Sequence, residues 1–154
     1  GIYMEISKIK TLTQSQSFQI NQLWNDEYPL KLKDRFSILL DGVEAYNHYI
    51  IEDAESNVLA WAVDFEKDNE IRFSIIVASK SKGKGMGRLL VEKLKSENDV
   101  FYGWVIDHNN DLKSNGVYYR TPMPFYLKLG FEILHDQRID SEMINAVKIK
   151  WKSR

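Results

Sequence analysis

The sequence predicts an α/β fold, a mixed β-sheet of about six or seven strands with about four helices packed on it. Three observations predict it. Between residues 47 and 77 three β-branched and aromatic runs succeed one another, separated only by turn-forming residues. A helical stripe and then another apolar run follow them, and strand, helix, strand in that order implies a right-handed crossover between parallel neighbours. Finally, 154 residues that are 44% hydrophobic and 28% charged suit one soluble globular domain with a real core, assigned to residues 2–154.

Taken in order, "MEISKIKTL" alternates like a strand, and "TLTQSQSFQINQLW" follows with hydroxyl caps and apolar residues Phe18, Ile20, Leu23 and Trp24, which predicts a helix. Pro29 ends that segment, and "LKDRFSILLDG" predicts a second helix closed by Gly42. The period then changes. "NHYIIED", "VLAWAVDF" and "EIRFSIIV", joined by "AESN" and "KDN", predict an antiparallel meander, with His48 on a strand surface. Met86, Leu89, Leu90, Val91 and Leu94 form the stripe of a helix over "MGRLLVEKLKSE", and "DVFYGWVID" is the parallel strand after it. "PFYLKLG" predicts a short helix, and "FEILHD" and "MINAVKIKW" two closing strands. Trp104, Tyr118, Tyr119 and Phe125 are expected mainly in the core, with Tyr118 and Tyr119 also placed to line a pocket mouth.

Composition excludes several classes of function. Lysine plus arginine, 21, nearly cancel aspartate plus glutamate, 22, so the basic excess of a nucleic-acid binder is missing and any anion site must be local. No cysteine is present, which removes disulfides, thiolate nucleophiles and cysteine-bound zinc and is consistent with a reducing compartment. The longest apolar stretches, such as "VLAWAV", fall far short of the roughly 20 residues that span a bilayer, and no signal-peptide pattern is present; a cytoplasmic location is expected. The three histidines, at 48, 108 and 135, lack ligand spacing, so no metal is expected.

The stretch "SKGKGMGRLL", residues 81–90, carries the chemistry. A P-loop is excluded because Arg88 stands where its second glycine belongs, and a dinucleotide fingerprint because Arg88 or Leu90 replaces the third. What remains is a strand end, a glycine-rich turn and a helix start. Glycines let backbone N–H groups approach an anion, and the first helical turn offers free donors and a positive dipole end. Lys80, Lys82, Lys84 and Arg88 add local positive charge. The plainer alternative is a glycine-rich turn with a solvated lysine face. Alternation of the glycines, and their place at a parallel crossover, favour an anion site.

Read together, "IIVASKSKGKGMGRLLVEKL" resembles the acetyl-CoA-binding motif of the GNAT N-acetyltransferase superfamily, Arg/Gln-x-x-Gly-x-Gly/Ala after a strand, in the residues Lys82, Gly83, Lys84, Gly85, Met86 and Gly87. "PFYLKLGFEIL" is similar to the family's Phe-Tyr-x-Lys-x-Gly-Phe signature, about forty residues downstream. The resemblance implies a GNAT-like fold and direct transfer of an acetyl group from acetyl-CoA to an amine of a small molecule or peptide. It implies backbone pairing of Ile76 and Val77 with the pantetheine arm, and a pyrophosphate held by amides from Lys82 to Arg88. Tyr126 becomes the general acid toward the departing thiolate, Lys128 a phosphate contact, and a homodimer a common assembly. The family's Asn-x-x-Ala stretch before the tyrosine is replaced by "GVYYRTPMPFY", where Pro122 and Pro124 impose an extended approach to a short helix.

A lysine-like amine of pKa about 10.4 is neutral only about once in 2,500 molecules at pH 7, so its proton must be removed. Candidates are Asp107 and His108 at the end of "FYGWVID", or Asp64 and Glu66 near the end of "AWAVDFE", acting directly or through water. Two other functions fit the same residues: a non-catalytic module that senses acyl-CoA, and a site for a different phosphate ligand such as a nucleotide.

Overall fold

The computed structural model describes residues 4–43 and 45–154. A seven-stranded sheet is built from β1 (Ser7–Ile9), β2 (Tyr46–Glu52), β3 (Val58–Lys67), β4 (Glu70–Val77), β5 (Val100–Ile106), β6 (Glu132–Asp140) and β7 (Asn145–Lys152), in the spatial order β1-β2-β3-β4-β5-β7-β6. The helices are α1 (Gln14–Glu27), α2 (Phe36–Leu39), α3 (Met86–Glu97) and α4 (Met123–Lys128). Every neighbouring pair of strands is antiparallel except β4 and β5, which flank the α3 crossover and run parallel.

Local chemistry accounts for the helices. Thr13 and Gln16 form a reciprocal capping box that satisfies two amides at the start of α1. Ile20, Trp24 and Glu27 recur at helical spacing and form the buried stripe of α1. Met86, Leu90, Val91 and Leu94 do the same for α3, each worth about 1.5–3 kcal/mol when fully removed from water. The two stripes bury against opposite faces of the sheet. α3 and α4 pack on Tyr49, Ala62, Phe73, Phe101 and Ile149, whereas α1 lies on Ile50, Trp61, Val63, Phe65 and Ile76.

Three expectations are corrected. The expected second helix is instead a 3-10 turn at Leu30–Leu32 and the four-residue α2. Asp34, at φ 61°, turns the chain into the left-handed region between them, held by reciprocal hydrogen bonds with Asn25. His48 is not on a surface: it is 2% exposed, and its Nδ1 accepts a hydrogen bond from Trp61 Nε1 at 3.0 Å. Tyr118, expected mainly in the core, is 58% exposed.

The feature that positions the site is a gap in the sheet. β4 follows β3 along its whole length and β5 follows β7, yet β4 and β5 meet at a single register pair, Arg72 with Tyr102. Beyond it they part. Gly103 sits just past that pair, and a Cβ there would lie 2.5 Å from Phe73 Cε1, so the fork closes on an aromatic ring that only glycine admits.

Candidate active site

The glycine stretch bridges the end of β4 and the start of α3. Gly83 and Gly85 have φ of 80° and 81°, the left-handed conformation that side chains resist. Gly85 occupies the N-cap of α3 and offers no side-chain cap. Of the amides expected to hold an anion, that of Lys82 is already used, donating to Ser79 O at 3.3 Å, whereas those from Gly83 to Arg88 donate to no protein acceptor among the described residues and lie at the positive end of the helix. Gly87 lets α3 approach its neighbours, since a Cβ there would meet Phe125 at 3.2 Å and Val77 at 3.6 Å. The side chains of Lys82, Lys84 and Arg88 belong to exposed residues around this mouth.

Between the parted strands lies a cavity of about 700 Å³. Its wall carries Lys82, Gly83, Met86 and Gly87 at the glycine turn, Val77 and Gly103–Ile106 along the strands, and Tyr126 and Phe125 from α4. Ala78 N–H donates to Leu59 O across β3. Because the direction of backbone groups alternates along an antiparallel strand, Ile76 also addresses β3, while Ile75 and Val77 point their N–H and C=O groups into the gap. Of the pair Ile76 and Val77, then, Val77 is the one with open backbone groups. Ile75 O already accepts from the Tyr28 hydroxyl at 3.3 Å.

Three tyrosines line this cavity. Tyr126 is 7% exposed and its ring packs edge-on to Phe73, Phe125 and Phe131. Its hydroxyl has no protein hydrogen-bond partner among the described residues, and burial, with a contribution from Tyr28, pushes its phenol far above the usual tyrosine value. Tyr28, whose hydroxyl lies 3.2 Å from Ser74 Oγ, and Tyr119 are likewise raised by burial. All three are neutral donors at physiological pH.

None of the four expected base candidates lines the cavity. Asp64 is 4% exposed but points to the α3 face, where it accepts from Tyr49 Oη at 2.8 Å, Asn98 Nδ2 at 2.9 Å and Asn47 Nδ2 at 3.1 Å. Glu66 is exposed beside it on a separate, smaller depression. Asp107 forms a two-pronged ion pair with Arg138, at 2.7 and 3.2 Å, which holds its carboxyl below the usual range. His108 turns into its own loop, where Nδ1 accepts from Asn110 N–H and Nε2 faces Asp111 at 3.6 Å. Lys128 is exposed on α4 and also lies outside the cavity wall. Among the described residues no group of His, Asp and Glu side chains is arranged to hold a metal ion, and no helix is long and apolar enough to cross a membrane.

Sequence reasoning missed Glu27. This buried carboxylate accepts from Ser79 Oγ at 2.6 Å, Ser79 N–H at 3.2 Å and Lys82 Nζ at 2.8 Å, and so ties the glycine turn to the end of α1. Burial alone would raise its pKa, but the hydrogen bonds from Lys82 and Ser79 and the charge of Lys82 outweigh that and hold it below the usual glutamate value. A signal was present: Glu27 continues the Ile20–Trp24 stripe, and a carboxylate on a buried stripe needs partners.

Compared as a whole, the chain has the fold of the GNAT N-acetyltransferases. Escherichia coli ElaA matches with a TM-score of 0.64 over 97% of this chain and 100% of that one, at 13% identity. The phosphinothricin acetyltransferase Pat from Sinorhizobium meliloti, solved in complex with AcCoA, matches with a TM-score of 0.60 over 96% and 88% of the two chains, at 14% identity. The spermidine/spermine N-acetyltransferase SpeG from Vibrio cholerae gives 0.60 over 96% and 92%, at 16% identity. No protein-family model matches the sequence, and no curated protein does either.

Proposed function

We propose that the protein is an N-acetyltransferase that moves an acetyl group from acetyl-CoA directly to an amine. The observation that carries this reading is the gap between β4 and β5, with unbonded amides at one mouth and Tyr126 in its wall. The residues fit the co-substrate: the run from Gly83 to Arg88 offers donors to a pyrophosphate, and Val77 offers one amide and one carbonyl to an amide-bearing arm laid along β4. Acetyl-CoA supplies the acetyl group as a thioester.

In the transfer, the amine nitrogen bonds to the acetyl carbon and the carbon–sulfur bond breaks. One proton leaves the nitrogen for solvent in the cavity, and the departing sulfur takes one back from solvent. Tyr126 donates a hydrogen bond to that sulfur. Full proton transfer from a phenol near 10 to a thiolate near 8.5 is uphill by roughly 2 kcal/mol. Burial raises both groups, so the mismatch need not widen by the full shift of the tyrosine. Tyr126→Phe is expected to cost about 10²–10⁴ in kcat. It should leave acetyl-CoA affinity intact and stability within about 0.5 kcal/mol, because the hydroxyl has no protein partner to lose. Full activity in this variant refutes the role.

One observation favours a second reading, a non-catalytic acyl-CoA sensor: the cavity wall contains no free carboxylate or imidazole among the described residues. Acetyl-CoA-dependent acetylation of any amine, lost in Tyr126→Phe, excludes the sensor.

A further inference from the structure

The side chains in the cavity wall carry an excess of positive charge. Beside Lys82 at the glycine turn the wall includes Arg35, Lys67, Arg72 and Arg120, and the carboxylate of the whole cavity wall among the described residues is Glu27, already held by Ser79 and Lys82. Arg35, Lys67 and Arg120 make no ion pair among the described residues. Arg72 is paired with Glu70 at 3.0 Å and Asp68 at 3.2 Å, but Glu70 is shared with Lys148, whose Nζ lies 2.5 Å away. Glu70 and Asp68 together balance Arg72 and Lys148, so the excess is that of Arg35, Lys67 and Arg120.

The phosphates of acetyl-CoA do not account for it. Arg72 precedes Val77 by five positions on β4, which at about 3.3 Å per residue places it roughly 17 Å back along the strand from Val77, and Lys67, in register with Glu70, lies farther back still. Arg72, Ser74 and Ile76 lie on the α1 face, as the contact between Ser74 and Tyr28 shows, whereas the glycine turn leads into α3 on the other face. Arg72 and Lys67 thus lie on the α1 face and away from the phosphate end, and Trp24, Phe65 and Trp104 add apolar wall to the same cavity.

Resting on the acetyltransferase reading, we propose that the acceptor is an anionic amine with an apolar body, a carboxylate- or phosphate-bearing amine and not a polyamine, and that Arg35 and Lys67, which no carboxylate pairs among the described residues, hold its anionic group. A guanidinium offers paired donors to either oxyanion. The same positive field disfavours the ammonium form of the acceptor, which suits a wall without a free base.

The test compares matched amines: phenylalanine with 2-phenylethylamine, tyrosine with tyramine, and O-phosphoethanolamine with ethanolamine, alongside spermidine. Thiol release from acetyl-CoA is followed with a thiol reagent, which meets no cysteine in this chain, and amine binding is followed by calorimetry. In at least one pair the anionic member should exceed its partner at least tenfold in kcat/KM. Lys67→Glu and Arg35→Glu should each reduce that ratio severalfold, mainly through the KM of the amine, with acetyl-CoA affinity within twofold of the parent. Preference for the pair lacking an anion, preference for spermidine, a ratio untouched by both reversals, or neither binding nor transfer for any pair would overturn the proposal. Binding of anionic amines without turnover, lost in the reversals, would sink the enzyme reading and leave the anion site standing. Acetylation blind to acceptor charge would do the opposite.

Discussion

Replacing Glu27 by glutamine keeps the shape of the tether between α1 and the glycine turn and removes its charge. The buried carboxylate accepts two hydrogen bonds from Ser79 and one from Lys82. Hydrogen bonds to a charged acceptor contribute about 1.5–3 kcal/mol each and neutral ones about half that, so the two from Ser79 should lose about 1.5–3 kcal/mol together. Lys82 has a side chain 55% exposed, and its screened ion pair adds about 1 kcal/mol at most. The sum, about 1.5–4 kcal/mol, corresponds to a fall in Tm of about 3–16 °C for a chain of this size. The sign with pH follows from the lowered carboxyl of Glu27. Its contribution is present above the unfolded value near 4.5 and is lost as pH falls through the lower folded value. Urea unfolding of parent and Glu27→Gln at pH 7 and again near pH 3 therefore should show a gap that closes in acid. A gap below about 0.5 kcal/mol at pH 7, or one that stays constant with pH, would refute the tether.

Gly103→Ala forces a Cβ to within 2.5 Å of Phe73, so thermal unfolding should report a loss of about 1–3 kcal/mol. Because Phe73 packs on Tyr126, kcat should fall more than acetyl-CoA affinity, as steady-state kinetics would show. Gly85→Ala meets no atom within 4 Å but must adopt φ near +81°, which costs about 1–2 kcal/mol and, by calorimetry, should weaken acetyl-CoA at least tenfold. His48 is buried and neutral, with its pKa lowered from 6.5 to about 4 by burial, which the charge of Asp64 only partly offsets. The unfolded chain therefore takes up the proton first, and stability present above pH 6.5 declines as pH falls toward 4, by about 3 kcal/mol in all. His48→Asn should flatten that part of the stability–pH curve.

Where the chain's own pattern carried the physics, it was readable. The meander, the crossover helix at 86–97 and the glycine turn all follow from period and punctuation, and the sheet comes out with seven strands in mixed pairing. His48 was misplaced because β2 is covered on both faces, by Tyr49 and its neighbours toward α3 and by Trp61 and α1 on the other side. Alternation then marks no solvent face. The second helix failed because an Asn25–Asp34 contact between distant residues overrode local propensity. Asp107 and Asp64 looked free as residues, and only the fold shows Arg138 and the Tyr49–Asn98 network occupying them. The cations of the cavity wall come from the residue before α2, from β3 and β4, and from the loop before α4, a meeting that no sequence window contains.

The most direct test of the central claim is thermal unfolding with and without acetyl-CoA, with ATP and NAD as controls. At about 100 times Kd, binding contributes about 2.7 kcal/mol, or roughly 5–11 °C for a chain of this length. The account predicts a rise of that order with acetyl-CoA, little or none with the controls, and its loss in Gly85→Ala. An unchanged Tm at millimolar acetyl-CoA would contradict it.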